Sequence, residues 1–585
     1  MPDPGQPSDG VQSSPITETL VKKRKDETNV RETVESILVA FILAFIFRAF
    51  VVEAFVIPTG SMAPTLLGAH MRFTCPDCGY KFATNYSSPR SSDEDVFVPS
   101  EAEGIIRKVQ RNTLDGREET VNQYEPRVFP IHCPNCAYKF PETSINDPDN
   151  DATSPPIHHG DRILVMKYVY LINEPARWDV VVFKSPVEPQ VHDYTQNYIK
   201  RLVGKPGETV MLLDGDVYVA PNSTNSDETP TFDQFRIQRK SDEVQDALWR
   251  VVYENDFHPR QDQPLTRNRN WIQPWRATNG TGWTQDKHGG RTFAFNGADT
   301  TSAAGLRFDV NATSDIYPLS DFLGYNQTGN FPRDILFSAG NLWNQSLMPP
   351  RHVVDDLKLA VSYERQSGDG PLRLKLSKGS DLFIAECLPD RVRLLRTMTT
   401  AGAPETVVAE TAYDFGNRPV RIELQNVDYR ASVRIDGNEL LATGDEYTPD
   451  PLALIDETAS KPVPIVEISA AGQTGQVNHV GLYRDIYYLN RESGRPIRWA
   501  EPRTPIRLGD DEYFVCGDNS EMSWDARLWN SPIDLPGEGL FVQDGRVPGR
   551  FMLGKAFFVY WPAGFKPVSG LPGLAPNFGQ MRFIH

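Results

Sequence analysis

At 585 residues the chain exceeds what one hydrophobic core organises, so more than one domain is expected. A formal net charge of −17 argues against a nucleic-acid partner, which clustered Lys and Arg would have to grip. Forty-two Gly and 47 Pro supply turns in a number that favours β-rich architecture over helical bundles.

Residues 1–20 are rich in Pro, Ser, Asp and Gly with almost no apolar anchors, which predicts a disordered cytoplasmic tail over 1–30. Lys22-Lys-Arg-Lys25 then precedes the strongly apolar residues 37–47. Basic charge before a spanning helix favours the cytoplasmic side, so the N-terminus is expected inside and the long remainder outside. A span needs about 20 mostly apolar residues. That length is reached only by tolerating Arg48 near the outer end, where a long side chain snorkels to the headgroups. No small-x-small cleavage site follows, so 31–53 is expected as a transmembrane anchor rather than a removed leader.

Next comes Phe55-Val-Ile-Pro-Thr-Gly-Ser61-Met-Ala-Pro-Thr-Leu66. Its first residues read as a strand, because Pro58 and Gly60 break any helix. Gly60 lets a substrate backbone approach Ser61, and Thr59 adds a hydroxyl two residues upstream. A serine alone is a weak nucleophile, so this role requires a base elsewhere.

Cys75-Pro-Asp-Cys78-Gly-Tyr-Lys-Phe and Cys133-Pro-Asn-Cys136-Ala-Tyr-Lys-Phe repeat one octet. Each CxxC turn sets two sulfurs on one side of a tight knuckle. Two knuckles make a tetrahedral zinc site in a ribbon-like segment over 72–145, with disulfides as the alternative outside the cytoplasm. Either role is structural.

The segment from His158 to Val219 reads as a β-meander: His159 to Tyr168 gives a turn and then an apolar strand, Arg177 to Pro186 a turn and a second buried strand, and Tyr198 to Glu208 a strand that ends in a Pro-Gly turn. Lys200 is the residue of interest, since its sequence neighbours are apolar. An ordinary lysine has a pKa of about 10.4 and is almost never a free base at neutral pH. A dry pocket lowers that value and turns the amine into a usable base.

The pattern breaks after Val219 and resumes near Pro505. Residues 222–300 are rich in Trp, Asn, Gln and Asp with weak periodicity. From about 301 to 490, alternating strands recur, among them Leu357-Lys-Leu-Ala-Val-Ser-Tyr363, Leu372-Arg-Leu-Lys-Leu376 and Val420-Arg-Ile-Glu-Leu424. They predict an antiparallel sandwich.

Four stretches taken together carry a resemblance. Ile57-Pro-Thr-Gly-Ser61-Met-Ala-Pro, Gly160-Asp-Arg-Ile-Leu-Val-Met-Lys167, Tyr198-Ile-Lys200-Arg-Leu-Val-Gly-Lys-Pro-Gly-Glu208 and Gly517-Asp518-Asn-Ser-Glu-Met-Ser523-Trp-Asp525-Ala-Arg527 are similar, in kind and order, to the boxes of bacterial type I signal peptidases. Val547 to Trp561 resembles that family's last strand. The run from Val420 to Arg484 is similar to laminin-G or concanavalin-like jelly rolls, a fold that binds glycans or proteins in some members and only packs in others.

The first resemblance implies a mainly β chain. Its antiparallel β catalytic core is split over 54–221 and 500–570 and follows an N-terminal transmembrane helix. A small zinc-ribbon insertion and a jelly-roll-like β-sandwich within an inserted domain at 222–499 interrupt it, and 571–585 is a C-terminal tail. It implies a membrane-anchored serine endopeptidase of the bacterial cytoplasmic membrane, with its catalytic domain outside, that removes signal peptides from exported preproteins. The partners are those signal peptides and the lipid bilayer; catalysis needs no cofactor, and zinc is structural. By motif position Ser61 is the nucleophile, Lys200 the general base and Thr59 an oxyanion donor beside the Ser61 N–H. Ser523 orients the lysine, while Asp518, Asp525 and Arg527 support the last box. Ile57, Pro58, Tyr198 and Ile199 line substrate pockets for small side chains. Thr59 stands where many relatives have Ser, and Ser520, Glu521 and Met522 replace residues that relatives often carry as Arg, Asp or Asn. The alternative is an anchored binding protein on a degenerate protease scaffold. The joint presence of Ser61, Lys200 and Ser523 argues against it.

Overall fold

A computed structural model describes residues 30–585 apart from 47–50, 86–105, 112–117, 124–130, 139, 141–156, 187–195, 224–228, 258, 260–263, 267–268, 279–281, 286–289, 298–302, 313–317, 329–351, 417, 456–460, 490–496, 531, 536–539 and 563–576. The chain divides into two units, residues 1–52 and 53–585. In the first, the helix Val30–Ile46 exposes apolar side chains on every side, from Val34 through Phe45. Among the described residues no helix is long and apolar enough to cross a membrane. The outer end of the expected anchor at 31–53 is corrected by the strand that begins at Val52. Val52–Val56 is a strand, as its β-branched and aromatic residues favour.

In the second unit, Val180-Val-Val-Phe183 shows why the core is a sheet covered on both faces. Val180 and Val182 pack with Ile57, Met62, Leu66, Ile163 and Val165. Val181 and Phe183 point the other way, into a cluster with Leu202, Val203, Phe514 and Trp529. A strand alternates faces, so a continuous apolar run is one buried twice. Eight strands form this sheet. Along its path they run Val52–Val56, Arg162–Met166, Met552–Trp561, Val180–Lys184, Asn197–Gly204, Glu512–Cys516 and Val547–Pro548. The eighth, Arg582–Phe583, pairs with Met552–Trp561.

Two expectations change here. The stretch 158–219 is not one meander, because Met552–Trp561 lies between Arg162–Met166 and Val180–Lys184 and pairs with both. The expected C-terminal tail at 571–585 is paired where it is described, from 577 on. Residues 577–585 dock through the strand Arg582–Phe583, and Arg582 Nη2 donates to Asp161 Oδ2 at 2.9 Å and to Thr65 O at 2.7 Å. Two paired residues are too few to show an alternation in sequence.

A four-stranded sheet joins Arg236–Ile237, Asp216–Pro221, Glu208–Leu213 and Ile506–Arg507. The chain departs from it into the insertion and returns to it: Asp216–Pro221 lies on one side of Glu208–Leu213 and Ile506–Arg507 on the other.

Between these points two sheets of eight and seven strands face each other. Leu357, Leu359, Val361 and Tyr363 of one and Leu372, Leu374 and Leu376 of the other enter a single apolar core. These are alternate residues of their strands, as a sandwich requires. The hairpin at Ile435↔Asn438 turns through Asp436 and Gly437, both at positive φ, the Asp-Gly pair favoured in two-residue turns. The sandwich begins earlier than 301. Arg250–Glu254 and Phe293–Asn296 pair with Thr474–Arg484, and Trp275–Ala277 pairs with Ala304–Phe308. Strands of three to five residues separated by polar loops leave little periodicity to read.

Candidate active site

The turn carrying Ser61 is held from beneath. Met62, Ala63 and Leu66 have no exposed surface, and the backbone N–H groups of Ala63 and Leu66 donate to Gly60 O and Met62 O at 3.0 and 2.9 Å. At its start, Ile57 N donates to Asp161 O at 2.9 Å, and Leu67 N reaches Asp161 Oδ2 at 3.0 Å. Apolar anchors below and bonded backbone on either side fix where the Ser61 side chain begins.

Lys200 approaches from the strand Asn197–Gly204, where it pairs with Val181. Its Nζ is 2.9 Å from Ser61 Oγ and donates to Ile199 O at 3.0 Å. Ser61 and Lys200 are 7% and 5% exposed, so the contact is dry. Burial pulls the Lys200 amine down from 10.5 to about 8; the Asp525 carboxylate opposes that and the Arg527 guanidinium reinforces it. The Tyr198 ring lies 5.6 Å from the same nitrogen and continues towards Phe183 and Trp529 as an aromatic wall.

The last box closes the site from a third direction. Gly517 N donates to Asp525 Oδ2 at 2.8 Å, and Arg527 Nε and Nη2 grip the two Asp525 oxygens at 2.8 Å each. Burial alone would raise the Asp525 pKa, but the Arg527 charge and these bonds outweigh it and hold the carboxyl below its usual range. Asp518 is held low in the same way, its burial outweighed by Arg201. Ser523 is 2% exposed and makes no hydrogen bond to Lys200, whose donors go to Ser61 and Ile199. It stands instead beside Gly517. A Cβ on Gly517 would lie 2.2 Å from Ser523 Oγ and 2.5 Å from Ser61 O, so only glycine fits.

Of the remaining expected residues, Ile57 is buried and Tyr198 and Ile199 are half-buried, whereas Pro58 and Thr59 are exposed. Three residues that the sequence reading did not single out take part. Asn519 N donates to Ser61 O and its Nδ2 to Gly60 O, both at 3.0 Å. Gly517 supplies the space, and Arg201 binds Asp518. All three adjoin residues already chosen, and that adjacency was the available signal.

The four paired cysteines form a second centre. All are buried and free, with Cys75 Sγ 3.7 Å from Cys136 Sγ and Cys78 Sγ 3.6 Å from Cys133 Sγ. A disulfide needs about 2.0 Å. A tetrahedral ion with sulfur ligands at about 2.3 Å sets the sulfurs about 3.8 Å apart, which these residues match. The two knuckles repeat one geometry, Gly79 N and Ala137 N returning to Cys75 O and Cys133 O at 2.9 Å.

The class defined by this fold and site is an antiparallel β frame bearing a buried serine–lysine pair. A protein-family model described as "Signal peptidase, peptidase S26" matches residues 30–103 and 145–268. Signal peptidase I T of Bacillus subtilis (strain 168) is 40% identical over 65 residues, which cover 11% of this chain and 31% of that protein. Signal peptidase I of Pseudomonas aeruginosa is 43% identical over 127 residues, 21% of this chain and 40% of that protein. The chain thus spans 31–40% of the length of these two curated relatives. A carbohydrate-binding module, CBM66 from Bacillus subtilis, aligns with 36% of this chain and 96% of its own at 11% identity and a TM-score of 0.22, a likeness too low to carry an argument.

Proposed function

We propose that this protein is a membrane-anchored serine endopeptidase that releases signal peptides from exported preproteins, with Ser61 as nucleophile and Lys200 as general base. The 2.9 Å contact between a desolvated amine and a hydroxyl carries the reading. At a pKa of about 8, roughly one amine in ten is neutral at pH 7, against fewer than one in about a thousand for an ordinary lysine. The neutral amine keeps one hydrogen on Ile199 O and turns its lone pair to the Ser61 hydroxyl. It takes that proton as Oγ attacks the scissile carbonyl carbon, then passes it to the departing amine. Hydrolysis of the acyl-enzyme by water repeats the proton transfer. The Ser61 N–H and the Thr59 hydroxyl stabilise the oxyanion, and Asn519 keeps the last box seated against Ser61 O. Ile57, Pro58, Tyr198 and Ile199 border the substrate groove, whose shallow pockets admit small side chains.

The apolar surface of the helix Val30–Ile46 and the preceding basic cluster support an anchor in the bacterial cytoplasmic membrane with the N-terminus inside. Cys75, Cys78, Cys133 and Cys136 bind one structural zinc.

Full-length protein in detergent should cut a preprotein after its small-residue site, and Ser61→Ala and Lys200→Met should not. Cleavage retained in either variant would remove the mechanism. Metal analysis should find one zinc per chain, lost in Cys133→Ser together with several degrees of thermal stability; a metal-free wild type would refute the zinc assignment.

A further inference from the structure

The insertion sends one short segment back to Ser61. Gly324–Thr328 is a single 3-10 turn. Tyr325, 4% exposed, lays its ring on Gly60: a Cβ there would stand 2.5 Å from the ring edge. Asn326 and Asn519 exchange amide hydrogen bonds, Nδ2 to Oδ1 at 2.8 and 2.7 Å, and Asn326 Nδ2 also reaches Glu521 Oε2 at 3.0 Å. Asn519 is the residue that holds Gly60 O and Ser61 O. The turn is pinned at its far side, where Gln327 brackets the backbone of His132, accepting from its N–H at 2.6 Å and donating to its carbonyl at 2.9 Å.

We infer that Tyr325 and Asn326 are positioning residues for the reaction at Ser61, supplied by the inserted domain; the inference rests on the peptidase reading above. Neither side chain touches the reacting hydroxyl. Tyr325 limits the movement of Gly60 by contact, and Asn326 fixes the rotamer of Asn519, whose two donors set the Gly60–Ser61 carbonyls. A shift of about 1 Å in a reacting group costs on the order of 100-fold in rate. An inserted domain that merely decorated the enzyme would have no need to order this turn.

The test uses the full chain with Asn326→Ala, Tyr325→Ala and Tyr325→Phe, measured for preprotein cleavage and for amide hydrogen exchange over residues 57–66. The two alanine variants should lower kcat by roughly 10- to 100-fold with KM within about twofold, and keep the wild-type pH midpoint, because the base is untouched. Exchange over 57–66 should quicken by about tenfold while the sandwich strands exchange as in wild type. Tyr325→Phe, which keeps the ring, should restore both readouts. Unchanged exchange over 57–66 in Asn326→Ala and Tyr325→Ala would overturn the inference, as would wild-type kcat. Quickened exchange in a protein whose wild type cleaves no preprotein would uphold the positioning and sink the peptidase reading instead.

Discussion

Arg201 and Asp518 meet as a buried fork, Nε to Oδ1 and Nη2 to Oδ2, both at 2.7 Å. Arg201 follows the lysine that reaches Ser61, and Asp518 precedes the asparagine that holds the Ser61 carbonyl. One ion pair thus ties the strand carrying the amine to the loop that seats the hydroxyl. Neither side chain has exposed surface, so deleting one leaves the other charged and dry. Arg201→Met should cost about 3–5 kcal/mol, read as a lower urea midpoint, and the double variant Arg201→Met/Asp518→Leu should recover much of that. A double variant as unstable as the single would refute the assignment of the loss to a stranded charge.

Lys200 is expected to trade stability for activity. Burial holds its folded pKa at about 8, below the 10.5 of an unfolded lysine. Between those values the unfolded chain binds the extra proton, so this group makes stability rise with pH across the window and destabilises below it. Lys200→Met should therefore raise stability at pH 7 by about 1–3 kcal/mol and flatten the slope between pH 8 and 10.5. A variant less stable than wild type at pH 7 would contradict that sign.

The same value sets the pH dependence of catalysis. In the mechanism proposed above the free base is the active form, so kcat/KM should climb about tenfold per pH unit on the acid side and level off with a midpoint near 8. A midpoint near 10.5 would mean that the amine is solvated in the working enzyme.

Gly517→Ala brings a methyl group onto Ser523 Oγ and Ser61 O. Something must move, and both neighbours belong to the site. Cleavage should fall by at least about 100-fold, with a loss of roughly 1–3 kcal/mol of stability. Wild-type kcat in this variant would show that the approach is looser than 2.5 Å.

Legibility in the sequence followed the range of the interactions. Alternation in Leu357–Ser367 or Leu372–Lys378 is local and marks each strand and its inward face. The doubly buried Val180-Val-Val-Phe183 run was equally plain. Strand order was not, because nothing near Arg162–Met166 announces that its neighbour is Met552–Trp561. Within the site, a lone lysine among apolar residues is normally a surface charge. Their neighbours drew attention to Ser61 and Lys200, resemblance to a family supplied their roles, and the contact between them is a product of the folded sheet. Tyr325 and Asn326 were invisible for a further reason. They sit in a five-residue turn deep in the insertion, where neither periodicity nor any recognised box marks them.

The excursion after Pro221 leaves and rejoins beside the strand Glu208–Leu213, its two ends one on each side and therefore about 10 Å apart. A module that leaves and returns through so narrow a gate need not rethread the sheet that carries it. Through one aromatic ring and one amide the inserted domain also reaches the turn that carries Ser61, so on the positioning proposed above its excision should leave a frame intact in outline but slack at its centre.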